Sequence, residues 1–322
     1  PIGNQVRHIL IILSIFLFTA LIFGNKKITN PETGEEISLY NKSWAVIIGV
    51  NKYEHVKPLD YCVADANSIE SLLIENFDFN PDNVIMLTNQ EATLQGIRNA
   101  FAHIMKEAGK DDRVLIYFAG HGATDDLPDG GEMGFLIPVD GDKTDLYVSA
   151  IKMEELKTIS LLSEAKHILY LVDACYGGLT AIGARTIEIQ PTPDYIQKIT
   201  KYKSRQIITA GGRNEKVIEK AEWGHSAFTL NILRGLEDWT ADSNLDGFIT
   251  AEELGLFLKH RVTKDSDNQQ TPISRRFTSH EGEFVFINNA YIEKQIINII
   301  PDNEKSAISE SELLKRIESL EE

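Results

Sequence analysis

His167-Ile-Leu-Tyr-Leu-Val-Asp-Ala-Cys-Tyr-Gly-Gly178 is the stretch from which the fold is read. Residues 167–172 have the length and apolar content of a strand buried on both faces. Asp173-Ala-Cys175 then falls where such a strand ends, and a glycine pair follows. In open α/β sheets, ligands bind beyond the carboxyl ends of the strands. Cys175 is therefore either a nucleophile at a strand tip or a small buried filler.

Working outward, the chain alternates strands with helices. Strands are expected at Trp44–Val50, Asn83–Thr88, Arg113–Ala119, Lys166–Val172, Gln206–Ala210 and Glu283–Ile287, with a hairpin arm at Met133–Val139. Apolar residues at helical spacing predict helices over Val63–Asn76, Thr93–Ala108, Met153–Leu162, Ser226–Trp239 and Ala251–Val262. Thr93 is placed to cap the second of these. The alternation implies an α/β fold, a mostly parallel central sheet with helices on both faces.

The third of those strands runs into Phe118-Ala-Gly-His-Gly-Ala123. If it lies parallel and adjacent to the strand ending at Cys175, His121 and Cys175 emerge at one edge. A Cys–His pair is what thiol acyl transfer needs. The imidazole serves as base to the thiol and as acid to the leaving amine. The N–H groups of Gly122 and Cys175 would form the oxyanion hole. Asp173 lies two residues before Cys175, and positions i and i+2 of a strand share a face. Its carboxylate either faces the cleft, where it would suit a basic side chain, or holds a helix start or backbone amide.

These motifs resemble the caspase-like cysteine peptidases (family C14), most closely the metacaspases and prokaryotic orthocaspases. The resemblance is carried by Tyr117-Phe-Ala-Gly-His-Gly122 and Asp173-Ala-Cys-Tyr-Gly177. It extends through Trp44–Asn51, Leu59–Ala66, Gly134–Asp140 and Gly224-His-Ser-Ala-Phe-Thr229, over roughly residues 42–287. Asp173 stands where true caspases have Gln, and Tyr176-Gly177 replaces the His-Ser usual in metacaspases, which favours the orthocaspase side. The resemblance implies a caspase-hemoglobinase fold and an endopeptidase whose Cys175–His121 dyad cleaves peptide bonds. It also implies that Asp65 joins Asp173 in lining the S1 pocket, so that cleavage follows Arg or Lys. The rival reading is a catalytically silent interaction module on the same scaffold.

Asp242-Ser-Asn-Leu-Asp-Gly-Phe-Ile-Thr-Ala-Glu-Glu253 matches the calcium-loop pattern at every specified position. The expected ligands are Asp242, Asn244, Asp246, the Phe248 carbonyl, Thr250 and Glu253. No cofactor is required for the thiol chemistry itself. The connection from Ala181 to Lys203 is long and basic, and Arg185, Lys198, Lys201 and Lys203 are candidate self-cleavage sites.

The totals bound what remains. The 322 residues carry a net charge of −16, which excludes a general nucleic-acid binder. Two cysteines make no disulfide framework. Residues 1–27 contain an uncharged apolar run, Ile9–Gly24, between Arg7 and Lys26. It reads as a membrane anchor or an export signal, which would make the protein membrane-anchored or exported. Residues 28–41 read as a linker, 42–290 as the peptidase domain and 291–322 as a helical tail.

Overall fold

The computed structural model describes residues 26–29, 36–175, 198–212 and 215–288. Residues 9–24 and the tail from 289 lie outside the described residues, and so does Arg185. Among the described residues, no helix is long and apolar enough to cross a membrane. The chain divides into two units, one formed by residues 1–41 with 299–322 and one by Lys42–Asn298. In the first, β1 (Lys26–Thr29) pairs antiparallel with β2 (Glu36–Tyr40). Part of the expected linker is thus paired strand.

The second unit is built on a six-stranded sheet. Its strands are β3 (Ser43–Gly49), β4 (Val84–Thr88), β5 (Arg113–Ala119), β9 (His167–Cys175), β10 (Ser204–Gly211) and β14 (Ile273–Arg276). Their order is β14-β10-β9-β5-β3-β4, and only the β10–β14 pairing is antiparallel. Helices α1 (Cys62–Phe77) and α2 (Leu94–Glu107) precede β4 and β5, and α3 (Met153–Leu162) precedes β9. Helices α4 (Ala227–Glu237) and α5 (Ala251–Asp265) follow β10.

Alternation along the strands divides the core in two. Leu115, Tyr117, Leu169 and Leu171 pack with α1, α4 and α5 on one face. Val114, Ile116, Phe118, Ile168, Tyr170 and Val172 pack with α2 and α3 on the other. A strand covered on both faces must be apolar at every position, and for this reason β5 and β9 read as continuous hydrophobic runs. Thr93 caps α2 as expected, its hydroxyl accepting the Gly96 N–H at 3.0 Å.

Two expectations are corrected. The central β9 runs on through Asp173-Ala-Cys175 instead of stopping at Val172. The last expected strand is found as β15 (Val285–Ile287), but it pairs with β13 (Phe248–Thr250), outside the central sheet. The sixth place belongs to β14, Ile-Ser-Arg-Arg, a half-buried edge with no apolar run to betray it. A smaller three-stranded sheet of β6 (Gly122–Asp126), β7 (Glu132–Leu136) and β8 (Ile151–Lys152) leaves the end of β5. A hairpin of β11 (Glu219–Lys220) and β12 (His225–Ser226) leads into α4.

Candidate active site

Strands β5 and β9 are parallel neighbours with Ala119 opposite Asp173. The Gly120 N–H donates to the Asp173 carbonyl at 3.3 Å. His121 and Cys175 each follow this last level of β5–β9 pairing by two residues, so both lie at the same edge of the sheet. Cys175 is described by its backbone, which pairs with Gly211 of β10.

His121 is held from three sides. Its N–H donates to the Tyr53 hydroxyl at 2.7 Å, and the two rings lie 4.9 Å apart. Its Nε2 lies 2.8 Å from the Lys57 carbonyl. A carbonyl only accepts, so Nε2 carries the hydrogen and the neutral ring keeps its lone pair on Nδ1. Burial lowers the His121 pKa, the Lys57 carbonyl opposes this, and Lys143 lowers it further. The resting ring is therefore a neutral base. Gly120 is needed here because a Cβ would stand 2.5 Å from the Tyr53 hydroxyl oxygen.

The Gly122 amide has a defined direction. The His121 carbonyl accepts the Ile137 N–H at 2.9 Å, across β6 and β7. The C=O and N–H of one trans peptide point opposite ways, so the Gly122 N–H points away from β7.

Behind this edge the two expected acids converge. Asp65, in the first turn of α1, is fully buried, and Asp173 is 3% exposed. Asp65 Oδ1 lies 2.6 Å from His225 Nδ1, and its Oδ2 accepts the Ser226 N–H at 3.3 Å. Asp173 Oδ2 accepts the hydroxyls of Ser226 and of Thr229, the latter at 2.7 Å. Asp173 Oδ1 has no partner among the described residues. Burial raises the Asp173 pKa, and the Asp65 charge raises it further, against the two hydroxyl bonds. Asp65 is also raised by burial, with His225 opposing. Glu219 is pushed up to about 6, first by burial and then by Asp65 and Asp60. The cluster thus gathers acids without a full complement of cations.

Cys62, the other cysteine, begins α1 and is buried. Burial and then Asp173, Glu219 and Asp65 push its thiol pKa up, so it stays protonated. Strand alternation made Asp173 visible in the sequence, and the family resemblance added Asp65. Ser226, Thr229, His225 and Glu219 were not visible as partners, because they come from a hairpin and the first turn of α4, more than forty residues downstream of β9. The signal for His225, Ser226 and Thr229 was the Gly224–Thr229 run, which gave a resemblance but no roles, and Glu219 had none.

The calcium-type loop lies between α4 and α5. Gly247 has φ 84°, the left-handed turn that favours glycine at this position. Asp242 accepts the Asp246 and Gly247 amides, Asn244 the Asp246 amide, and Asp246 the Phe248 amide. Glu253 forms a capping box with Thr250 and accepts the Asn244 Nδ2–H at 2.8 Å. Burial, followed by Glu253 and Asp242, pushes Asp246 up to about 7. No three His, Cys, Asp or Glu side chains among the described residues are gathered to hold a metal. The side-chain and carbonyl oxygens of the loop are of the kind that suits a hard divalent cation. The strand of the loop, β13, finds its partner in β15.

Of the self-cleavage candidates, Lys198 and Lys201 are exposed on a helical stretch at 198–201, and Lys203 is exposed just before β10.

A model of the caspase domain (Peptidase C14) matches residues 42–280. Metacaspase-3 of Arabidopsis thaliana is 29% identical over 151 residues, 44% of this chain and 41% of that protein. Metacaspase-1 of Botryotinia fuckeliana is 28% identical over 149 residues, 42% of this chain and 35% of that one. The chain therefore spans less than half the length of these relatives. A solved protein of Geobacter sulfurreducens superposes with a TM-score of 0.52 at 20% identity, covering 73% of this chain and 93% of that one. That likeness is one of fold.

Proposed function

Because the chain belongs to the caspase-domain peptidases, we propose that it is a cysteine endopeptidase cleaving after Arg and Lys, with Cys175 as nucleophile and His121 as general base and acid. The observation that carries the reading is the β5–β9 register, which brings residues 121 and 175 to one sheet edge above an acid pair. In the proposed reaction His121 Nδ1 takes the thiol proton as Cys175 Sγ attacks the scissile carbonyl carbon. The carbonyl oxygen gains the negative charge and is met by the N–H groups of Gly122 and Cys175. Collapse breaks the C–N bond, and His121 gives its proton to the leaving amine. Water, deprotonated by His121, then hydrolyses the acyl-enzyme and restores the thiol.

The P1 preference follows from charge. A guanidinium or ammonium would supply the cation that the Asp173 carboxyl lacks, and an acidic P1 would add a like charge. The test is covalent labelling by an arginyl chloromethyl ketone together with a P1-varied peptide library. Labelling of the wild type but not of Cys175→Ala, with Arg and Lys leading the library, is the expected result. Absence of labelling would favour the catalytically silent module, and a library led by Asp would remove the pocket assignment.

Three further roles belong to this proposal. Asp242, Asn244, Asp246, the Phe248 carbonyl, Thr250 and Glu253 would hold calcium, with Glu253 leaving its capping box to do so. Arg185, Lys198, Lys201 and Lys203 are the sites at which the enzyme would cut itself, supported by the exposure of the three lysines. Residues 9–24 would tether the chain to a membrane or direct its export. Resistance of the full chain to extraction at alkaline pH tests the tether.

A further inference from the structure

On the reading of this site as a pocket for a basic P1 side chain, we propose that a single carboxyl oxygen, Asp173 Oδ1, reads the P1 cation. His225 is then the positioning residue that keeps Asp65 from doing so. The two acids are equal in the sequence and unequal in the fold. Asp65 has both oxygens engaged, Oδ1 by His225 Nδ1 at 2.6 Å and Oδ2 by the Ser226 amide at 3.3 Å. An ionised carboxylate only accepts, so the imidazole donates from Nδ1. The His225 side chain is 20% exposed and that of Asp65 is 1% exposed, so the contact engages Asp65 below the surface.

Asp173 is arranged differently. Its Oδ2 takes two hydroxyls, from Ser226 and Thr229, and Thr229 is itself 2.6 Å from the Tyr117 hydroxyl. That chain anchors one oxygen to the core and leaves Oδ1 with no partner among the described residues. An unpaired buried carboxylate oxygen is costly, and a cationic N–H donor removes the cost. The inequality comes from one hairpin. His225 and Ser226 are consecutive residues of β12, paired to Lys220 and Glu219 of β11. Ser226 also caps α4, its hydroxyl accepting the Thr229 N–H at 2.9 Å. The hairpin thus places one side chain on each acid, closing Asp65 and orienting Asp173.

The experiment measures the ratio of kcat/KM for P1 Arg to that for P1 norleucine, which cancels losses common to both substrates. Asp173→Asn should lower this ratio at least tenfold, and Asp65→Asn less than threefold. In a His225→Ala background Asp65 is uncovered, and Asp65→Asn should now lower the ratio about tenfold. His225→Asn, whose Nδ2 can stand where the ring Nδ1 stood, should restore the unequal pair. Turnover of the norleucine substrate shows that each variant is folded. Equal losses for Asp65→Asn and Asp173→Asn in the His225-containing enzyme would overturn the role given to His225 while leaving the basic pocket standing. An unchanged ratio in both single variants would overturn the pocket and this inference together.

Discussion

The two ends of the central sheet bury ionisable groups on opposite terms. At the N-terminal edge stand Arg113, opening β5, and Arg205, near the start of β10. Arg205 donates to the carbonyls of Ser160, Ser163, Ala165, Lys166 and Ser204 at 2.7–3.1 Å. Arg113 donates to Ser43 Oγ and to the carbonyls of Phe77 and Val285, and lies 4.8 Å from the Phe79 ring centre. At the C-terminal edge Asp65 has one imidazole and one amide, and Asp173 has two hydroxyls. Fixed carbonyls saturate the cations, which are therefore structural. The acids are left short of donors, and that deficit is what a substrate can fill. Burial brings Arg205 down to about 10, still well above neutrality, so it remains a cation. The same burial pushes Asp173 up towards its neutral form.

The largest effect that would sharpen this contrast is at the dyad. Cys175→Ala should reduce peptidase activity by about 10³-fold or more, and His121→Ala nearly as much. The double variant should lose little beyond either, because the pair acts as a unit. Melting temperatures of both should stay near that of the wild type, which differential scanning fluorimetry would check.

The second effect lies at the opposite edge. Arg205→Met removes five bonds to core carbonyls, of which that of Lys166 keeps the Ser204 N–H as another donor, and should cost on the order of 3 kcal/mol or more in stability. The Arg-to-Lys preference of whatever remains folded should not change. A change of P1 preference with little loss of stability, measured by denaturant titration, would break the division between the two ends.

The third effect carries both signs. Asp173→Asn should lower kcat/KM on Arg substrates tenfold or more, about 1.5–3 kcal/mol, through loss of a charge-assisted contact. The same variant should melt higher than the wild type at neutral pH. The sign follows from proton linkage. An acid raised in the fold holds its proton above the unfolded pKa of about 4, so its contribution to stability falls as pH rises through the folded value. Asn does not titrate. The melting advantage of Asp173→Asn should therefore widen from pH 5 to pH 8. A constant or shrinking difference would show that Asp173 already has its counter-charge in the free enzyme.

The smallest effect is at the calcium loop. Millimolar calcium should raise the melting temperature by a few degrees, because a ligand bound only by the native state stabilises it. Asp246→Asn should reduce that shift. An unchanged melting temperature with no heat of binding would remove calcium from this loop.

Much of the fold was legible in residue order. The apolar runs of β3, β5, β9 and β10 mark strands buried on both faces and that of β4 a half-buried edge, and helical spacing located the five long helices among the described residues. The ends of β5 and β9 announced His121 and Cys175, since Gly-His-Gly and Asp-Ala-Cys are odd residues to follow such runs. The edge strand β14 was not legible, because a half-buried Ile-Ser-Arg-Arg has no periodicity that separates it from a loop. The true place of β15 escaped for the opposite reason. Its apolar run is that of a strand, but a run cannot name its partner.

The acids show the same boundary most clearly. Strand alternation was enough to put Asp173 on one face of β9, and resemblance was enough to join Asp65 to it. That Asp65 is engaged by His225 while Asp173 keeps a buried oxygen with no partner among the described residues depends on a hairpin about fifty residues beyond Asp173 and some 160 beyond Asp65. Local sequence determines which backbone conformation and which face a residue takes, because those follow from sterics and from apolar periodicity over a few residues. Which donor reaches which oxygen is decided only when distant segments meet, because a hydrogen bond is made or lost within a few tenths of an ångström.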